Sequence, residues 1–139
     1  MIRAAVVALV LVFLLARPAV AEHEVYYRYV VLGYVNDTTG APAGHRQVEL
    51  VRDKTGFSYL GDTDARGFFV LVARLGDESA GEPLTLRVGG ATTRITARFD
   101  PADHEHPRGT RVDVEGTRFV ERASSFASTL AGFLGTSAQ

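Results

Sequence analysis

Between residues 25 and 116 the apolar side chains come in short runs, and glycine, proline or aspartate closes each run. The segment 25–37, VYYRYVVLGYVND, is dense in β-branched and aromatic residues, which fit a pleated strand. TTGAPAG then breaks it. Residues 46–52 (RQVELVR), 57–63 (FSYLGDT), 68–74 (FFVLVAR), 83–88 (PLTLRV), 92–99 (TTRITARF) and 110–116 (TRVDVEG) read as six further strands. Gly89-Gly90 between two of them is a hairpin signal. LGDESAGE and DPADHEHPRG read as polar loops. Seven short strands at this spacing predict an all-β fold, a seven-stranded antiparallel β-sandwich. Period-two alternation places Leu84, Leu86 and Val88, and likewise Val112 and Val114, on the core face.

The first strand does not alternate. Val25, Tyr27, Tyr29, Val31 and Val35 lie on one face, and Tyr26, Val30, Leu32 and Tyr34 on the other, so each face needs a cover. TRFVERASSFASTLAGFLG (117–135) supplies a candidate. It sets Phe119, Ala123, Phe126, Leu130, Phe133 and Leu134 at helical spacing, with Thr117 as N-cap. The expectation is a sandwich over 22–116 and an amphipathic helix with its tail over 117–139. The helix either packs on the sandwich or docks on a partner or the periphery of a membrane. In the second case Tyr26, Leu32 and Tyr34, with Phe126, Leu130 and Phe133, are the contact residues, and an exported or membrane-associated protein is the partner.

MIRAAVVALVLVFLLARPAVA (1–21) carries one early basic residue, an apolar run shorter than a membrane span and a small-x-small cleavage pattern. It reads as a signal peptide cut after Ala21, which makes the mature chain periplasmic or secreted. There is no cysteine, hence neither a disulfide nor a lipid-anchored cysteine. Net charge is −1, and removing Arg3 and Arg17 moves it to −3. With no basic stripe, nucleic acid is not an expected partner. Phosphate-binding loops, nucleophile elbows and zinc-protease motifs are absent.

Three histidines are candidate metal ligands. In an extended segment His104 and His106 share a face, within reach of one copper or zinc ion. His23, second in the mature chain beside its new α-amine, offers a further ligand. His45 follows Gly44 in a turn and reads as structural, and no resident cofactor is otherwise expected.

Gly33-x-Val35-x-Asp37, Gly40-x-Pro42-x-Gly44, Val48-x-Leu50 and Thr63-Asp64-x-x-Gly67-x-Phe69 resemble the carboxypeptidase regulatory-like domains, part of the transthyretin-like (prealbumin-like) group. The likeness spans residues 29–90. It implies a Greek-key β-sandwich and a non-catalytic, accessory role in binding or attachment. Asp37 is expected to bond turn amides, and Asp64 with Gly67 to close a type I turn. One enzymatic branch of that group, the 5-hydroxyisourate hydrolases, is similar at NDTTGAPAGHRQVEL and at His104-x-His106. This chain has Tyr34 where those enzymes place a first-strand histidine, and GFLGTSAQ where they end in Tyr-Arg-Gly-Ser. Non-catalytic protein docking is therefore the first expectation, metal binding the second and the hydrolase the third.

Overall fold

The structure, a computed structural model, describes residues 27–137. The expected signal segment, His23 and Tyr26 lie outside the described residues. Eight strands and one helix follow in order: β1 (Tyr27–Asn36), β2 (Gln47–Arg52), β3 (Ser58–Asp62), β4 (Phe68–Leu75), β5 (Pro83–Val88), β6 (Ala91–Thr96), β7 (Arg108–Glu115), β8 (Arg118–Glu121) and α1 (Phe126–Ser137). Single 3₁₀ turns occupy Asp77–Ser79 and Ala123–Ser125.

The strands form two four-stranded sheets, ordered β4-β1-β7-β8 and β3-β2-β5-β6. The sheets enclose a common core. Val31, Val35, Leu71 and Val112 from the first meet Val48, Leu50, Leu84 and Leu86 from the second, all essentially shielded from solvent. Each such aliphatic side chain contributes about 1.5–3 kcal/mol of transfer free energy. The alternation expected in β5 and β7 is borne out, with Leu84, Leu86, Val88, Val112 and Val114 all buried. The Gly89-Gly90 hairpin also forms, with Val88 opposite Ala91. The loop after β4 is more than a polar connection. Its Glu82 is buried and accepts from Arg52 Nε and Nη2 at 2.8 and 2.9 Å.

Three expectations are corrected. The described residues form eight strands, because Arg118–Glu121 makes a hairpin with β7 instead of the first turn of the helix. Thr117 lies in that hairpin turn beside Gly116 (φ +67°) and caps no helix; α1 begins at Phe126. The hydrophobic spacing of Phe119 suits a helix, but Phe119 pairs with Val114 and packs on the core. Nor is the sandwich wholly antiparallel: β1 and β7 run parallel, Tyr29 opposite Arg108 and Val35 opposite Val114. That ladder lapses at Tyr34, whose amide donates to Asp113 Oδ1 at 3.0 Å.

The turns behave as their residues dictate. Asp37 Oδ1 accepts from the Thr39 and Ala41 amides at 2.8 and 3.1 Å. Asp64 Oδ1 does the same for Arg66 and Phe68, and the Gly67 amide donates to Asp64 O at 2.9 Å. Gly67 has φ +79°, and a Cβ there would stand 2.3 Å from Val35 O. His45, at φ 55°, holds a left-handed turn position, donating its amide to Thr63 O.

Candidate functional site

The second face of β1 is covered by the chain itself. Val30, Leu32 and Tyr34 of β1 and Phe68 and Val70 of β4 form the outer face of the first sheet, and α1 lies across it. Phe126 seats on β7 because residue 109 is glycine: a Cβ there would meet the Phe126 ring at 2.5 Å. Leu32, Phe126 and Leu130 are buried in this second cluster, and Phe133 tilts against Phe68 at 5.6 Å. Arg111 fixes the helix laterally through Nη1 to Thr129 Oγ1 at 3.0 Å.

The helix does not cover the whole sheet. Between α1 and the far half of β4 runs a groove of about 550 Å³. Val30, Val70, Val72, Leu130, Phe133 and Leu134 make its walls. Val72 and Leu134 are among the exposed large hydrophobic residues, at 41% and 54%. Tyr27, Arg28, Arg108 and the loop His104–Pro107 line the groove as well, making its polar part.

Arg108 organises that part. Its side chain is 6% exposed, and its guanidinium carbon lies 4.7 Å from the Tyr27 ring centre and 4.3 Å from that of Phe99. Nη2 contacts Asp77 Oδ1 at 2.9 Å and donates to Asp103 O at 3.1 Å. The Asp77 contact is an ion pair without hydrogen-bond alignment, and Nη1 is buried with no partner among the described residues. His104 stacks on Tyr27, ring centres 4.6 Å apart, and its Nε2 lies 2.9 Å from Asp77 Oδ2. The Tyr27 hydroxyl is also 3.3 Å from His104 Nδ1. Imidazole donors and lone pairs lie in the ring plane, so stacking is the stronger part of that contact. Partial burial pushes the Asp77 carboxyl up, but the hydrogen bond with His104 and the charge of Arg108 outweigh it and hold the group below its ordinary range. Asp103 is pulled down to about 2 by the Glu105 and His106 amides and the His106 ring.

The two histidines are thus committed to different carboxylates, His104 to Asp77 and His106 to Asp103 at 2.8 Å. Among the described residues no three histidine, cysteine, aspartate or glutamate side chains are placed to hold a metal ion. Nor does the fold bring Tyr34 to His104-x-His106. His104 stacks at the Tyr27 end of β1, and Tyr34 lies seven residues further along that strand, roughly 23 Å at the usual rise. Of the expected contact residues, Leu32, Phe126 and Leu130 are turned inward onto one another, and Tyr34 and Phe133 are half-buried.

A charged cluster occupies the Tyr34 end. Asp113, its side chain 8% exposed, takes Arg111 Nε and Nη2 at 3.0 Å each and is also bound by Arg122 Nη1. Burial pushes Asp113 up; the bonds from Arg111, the Tyr34 amide and Arg122 prevail and hold it down. Arg111 also lies 5.2 Å from the Tyr34 ring centre. Sequence reasoning missed Arg108, Asp77 and Asp113. An arginine and an aspartate at inward or helix-facing strand positions were the available signals, since such residues are seldom buried without partners.

No protein-family model matches the chain, and no curated protein matches it. Among solved structures it is similar to a 9R-lipoxygenase from Cyanothece PCC8801, at 18% identity and a TM-score of 0.36, over 64% of this chain and 17% of that one. So slight a likeness carries no argument about fold or function. Among the described residues no helix is long and apolar enough to cross a membrane.

Proposed function

We propose that this chain is a non-catalytic, exported binding module of the carboxypeptidase regulatory-like kind, a Greek-key sandwich extended by β8 and α1, and that the groove beside α1 is its binding site. The observation that carries this reading is the meeting of exposed Val72 and Leu134 along one groove that arginines also line. Exposed apolar side chains that converge, rather than scatter, mark binding surfaces. The family reading is supported by the motif turns, where Asp37, Asp64 and Gly67 each make the bonds the pattern implies. Docking through Leu32, Phe126 and Leu130 is set aside, because those side chains already cover one another.

The test uses an environment-sensitive anionic dye, anilinonaphthalene sulfonate, titrated into the native protein. One-to-one fluorescence enhancement is expected, falling about tenfold in affinity for Val72→Asp with the thermal midpoint little changed. Enhancement that ignores Val72→Asp and Leu134→Asp would sink the groove as the site. Export is checked by N-terminal sequencing of the protein recovered outside the cytoplasm, which should begin at Glu22.

A further inference from the structure

We infer that the free edge of β4 takes an extended, acidic segment of a partner protein as an added strand. An apolar side chain of that segment lies beside Val72 and Leu134, and a carboxylate two residues along it meets Arg74 and Arg28. This rests on the binding-module reading above.

The backbone of β4 supplies the edge. β4 is an outer strand of its sheet, and among the described residues it pairs with β1 alone. Gly67 O accepts from Val35 N, so the odd-numbered residues that follow turn their backbone groups toward β1 and the even-numbered ones turn theirs away. The edge is closed at Phe68, whose backbone groups bond to Asp64. At Val70 it is crowded by β3, since a Cβ on Gly61 would stand 3.7 Å from Val70 O. The Arg74 amide donates to the Tyr59 hydroxyl at 3.1 Å, an acceptor in place of a neighbouring strand's carbonyl. Val72 lies between them, 41% exposed, and its N–H and C=O have no partner among the described residues. Strand addition uses unpaired edge groups of this kind.

The side chains name the occupant. The register sets Arg28 directly opposite Arg74, in the kind of pair whose side chains lie close, and both are exposed. Like charges so placed repel, and a carboxylate beside them is favourable. Val72 precedes Arg74 by two residues on the same face of β4. A strand laid along this edge therefore needs an apolar residue and an acid two positions apart. The exposed large hydrophobic residues among the described ones are Phe57, Leu60, Val72 and Leu134; the outer strands β6 and β8 carry none of them. A second copy fits poorly, because a twofold contact about Val72 would crowd Arg28 and Arg74 of both copies together. A lipid surface would answer the charge and the apolar side chains but leave Val72 N–H and C=O unpaired.

The experiment adds the peptide acetyl-Ser-Leu-Thr-Glu-Val-amide to ¹⁵N-labelled protein purified after expression of the whole 139-residue chain, with displacement of the dye as a second readout. Saturable shifts are expected at Val72, Arg74 and Leu134 but not at Thr92 or Arg94 of β6, and the Val72 amide should exchange several times more slowly with deuterium. Replacing the peptide's glutamate by glutamine, moving it next to the leucine, and Arg28→Ser in the protein should each weaken binding about threefold. Methylating alternate peptide nitrogens should abolish binding for one set and spare it for the other. Equal binding of the glutamine peptide would overturn the charge assignment, and equal binding of the two methylated sets would overturn strand addition. Shifts at Leu60 in place of Val72 would overturn the choice of β4. Uptake on phosphatidylglycerol vesicles without peptide binding would put a lipid surface there, and dimerisation abolished by Val72→Asp a second copy; either overturns the inference. If the dye binds in the groove but the peptide neither displaces it nor shifts Val72, this inference falls and the binding module stands; if the dye does not bind there, both fall.

Discussion

Gly67 and Asp113 show how much single residues decide in this sandwich. Gly67 meets two demands at once: a positive φ, and a Cβ position 2.3 Å from Val35 O. Gly40 meets only the first, with φ +87° and open space around it. Gly40→Ala should therefore cost about 1–2 kcal/mol, and Gly67→Ala roughly twice that or more, since backbone must also move. Urea unfolding of the pair checks the difference; equal losses would mean that the Val35 contact relaxes freely. Asp113 binds two arginines and stands in for the β1–β7 ladder at Tyr34. Asp113→Asn should cost about 3 kcal/mol, because Arg111 loses its charge partner in a partly buried site. Its folded pKa lies below the unfolded value of about 3.9. The stability it contributes is therefore complete above pH 4 and is lost as pH falls through that value toward the lower folded one. Urea midpoints measured from pH 6 down to pH 2 should fall in the wild type and fall less steeply in Asp113→Asn, where the lowered carboxyls of Asp77 and Asp103 still contribute.

At the scale of elements, α1 is both cover and wall. Its one face is spent on Val30, Leu32 and Phe68, and its edge is left to bound the groove. Phe126 and Leu134 separate these roles. Phe126→Ala should cost about 3–5 kcal/mol by opening a void above Gly109. Leu134→Ser, at a side chain 54% exposed, should stay within about 0.5 kcal/mol. Thermal unfolding of the two variants checks this, and similar losses in both would mean that the groove wall is part of the core. The helix itself was legible from its 3.6-residue spacing, but its start was not. Phe119 satisfies both periods, and only the Glu115-Gly116-Thr117-Arg118 turn decides for a strand. A glycine between two alternating segments was the sequence signal for that hairpin.

For the whole molecule, closure depends on the parallel pairing of β1 with β7, residues 79 apart in sequence, as between Tyr29 and Arg108. A chain truncated after Pro107 keeps β1 through β6 and loses one flank of β1 together with its helical cover. It should show no cooperative unfolding transition by circular dichroism; a sharp transition would mean that the second sheet and β4 suffice. Long-range pairing of this kind also predicts folding in milliseconds to seconds rather than microseconds. The sequence alone determined seven of the eight strand segments, the turns at Asp37, Asp64 and Gly89-Gly90, the inward alternation of β5 and β7 and the need to cover both faces of β1. These are local facts, set by backbone preference and by the period of apolar residues. Only the tertiary structure decided that β1 and β7 run parallel, that His104 and His106 serve different carboxylates, and that Arg108 is buried beside a groove. Those depend on which distant segments meet, and neither a strand's own pattern nor a histidine's spacing carries that information.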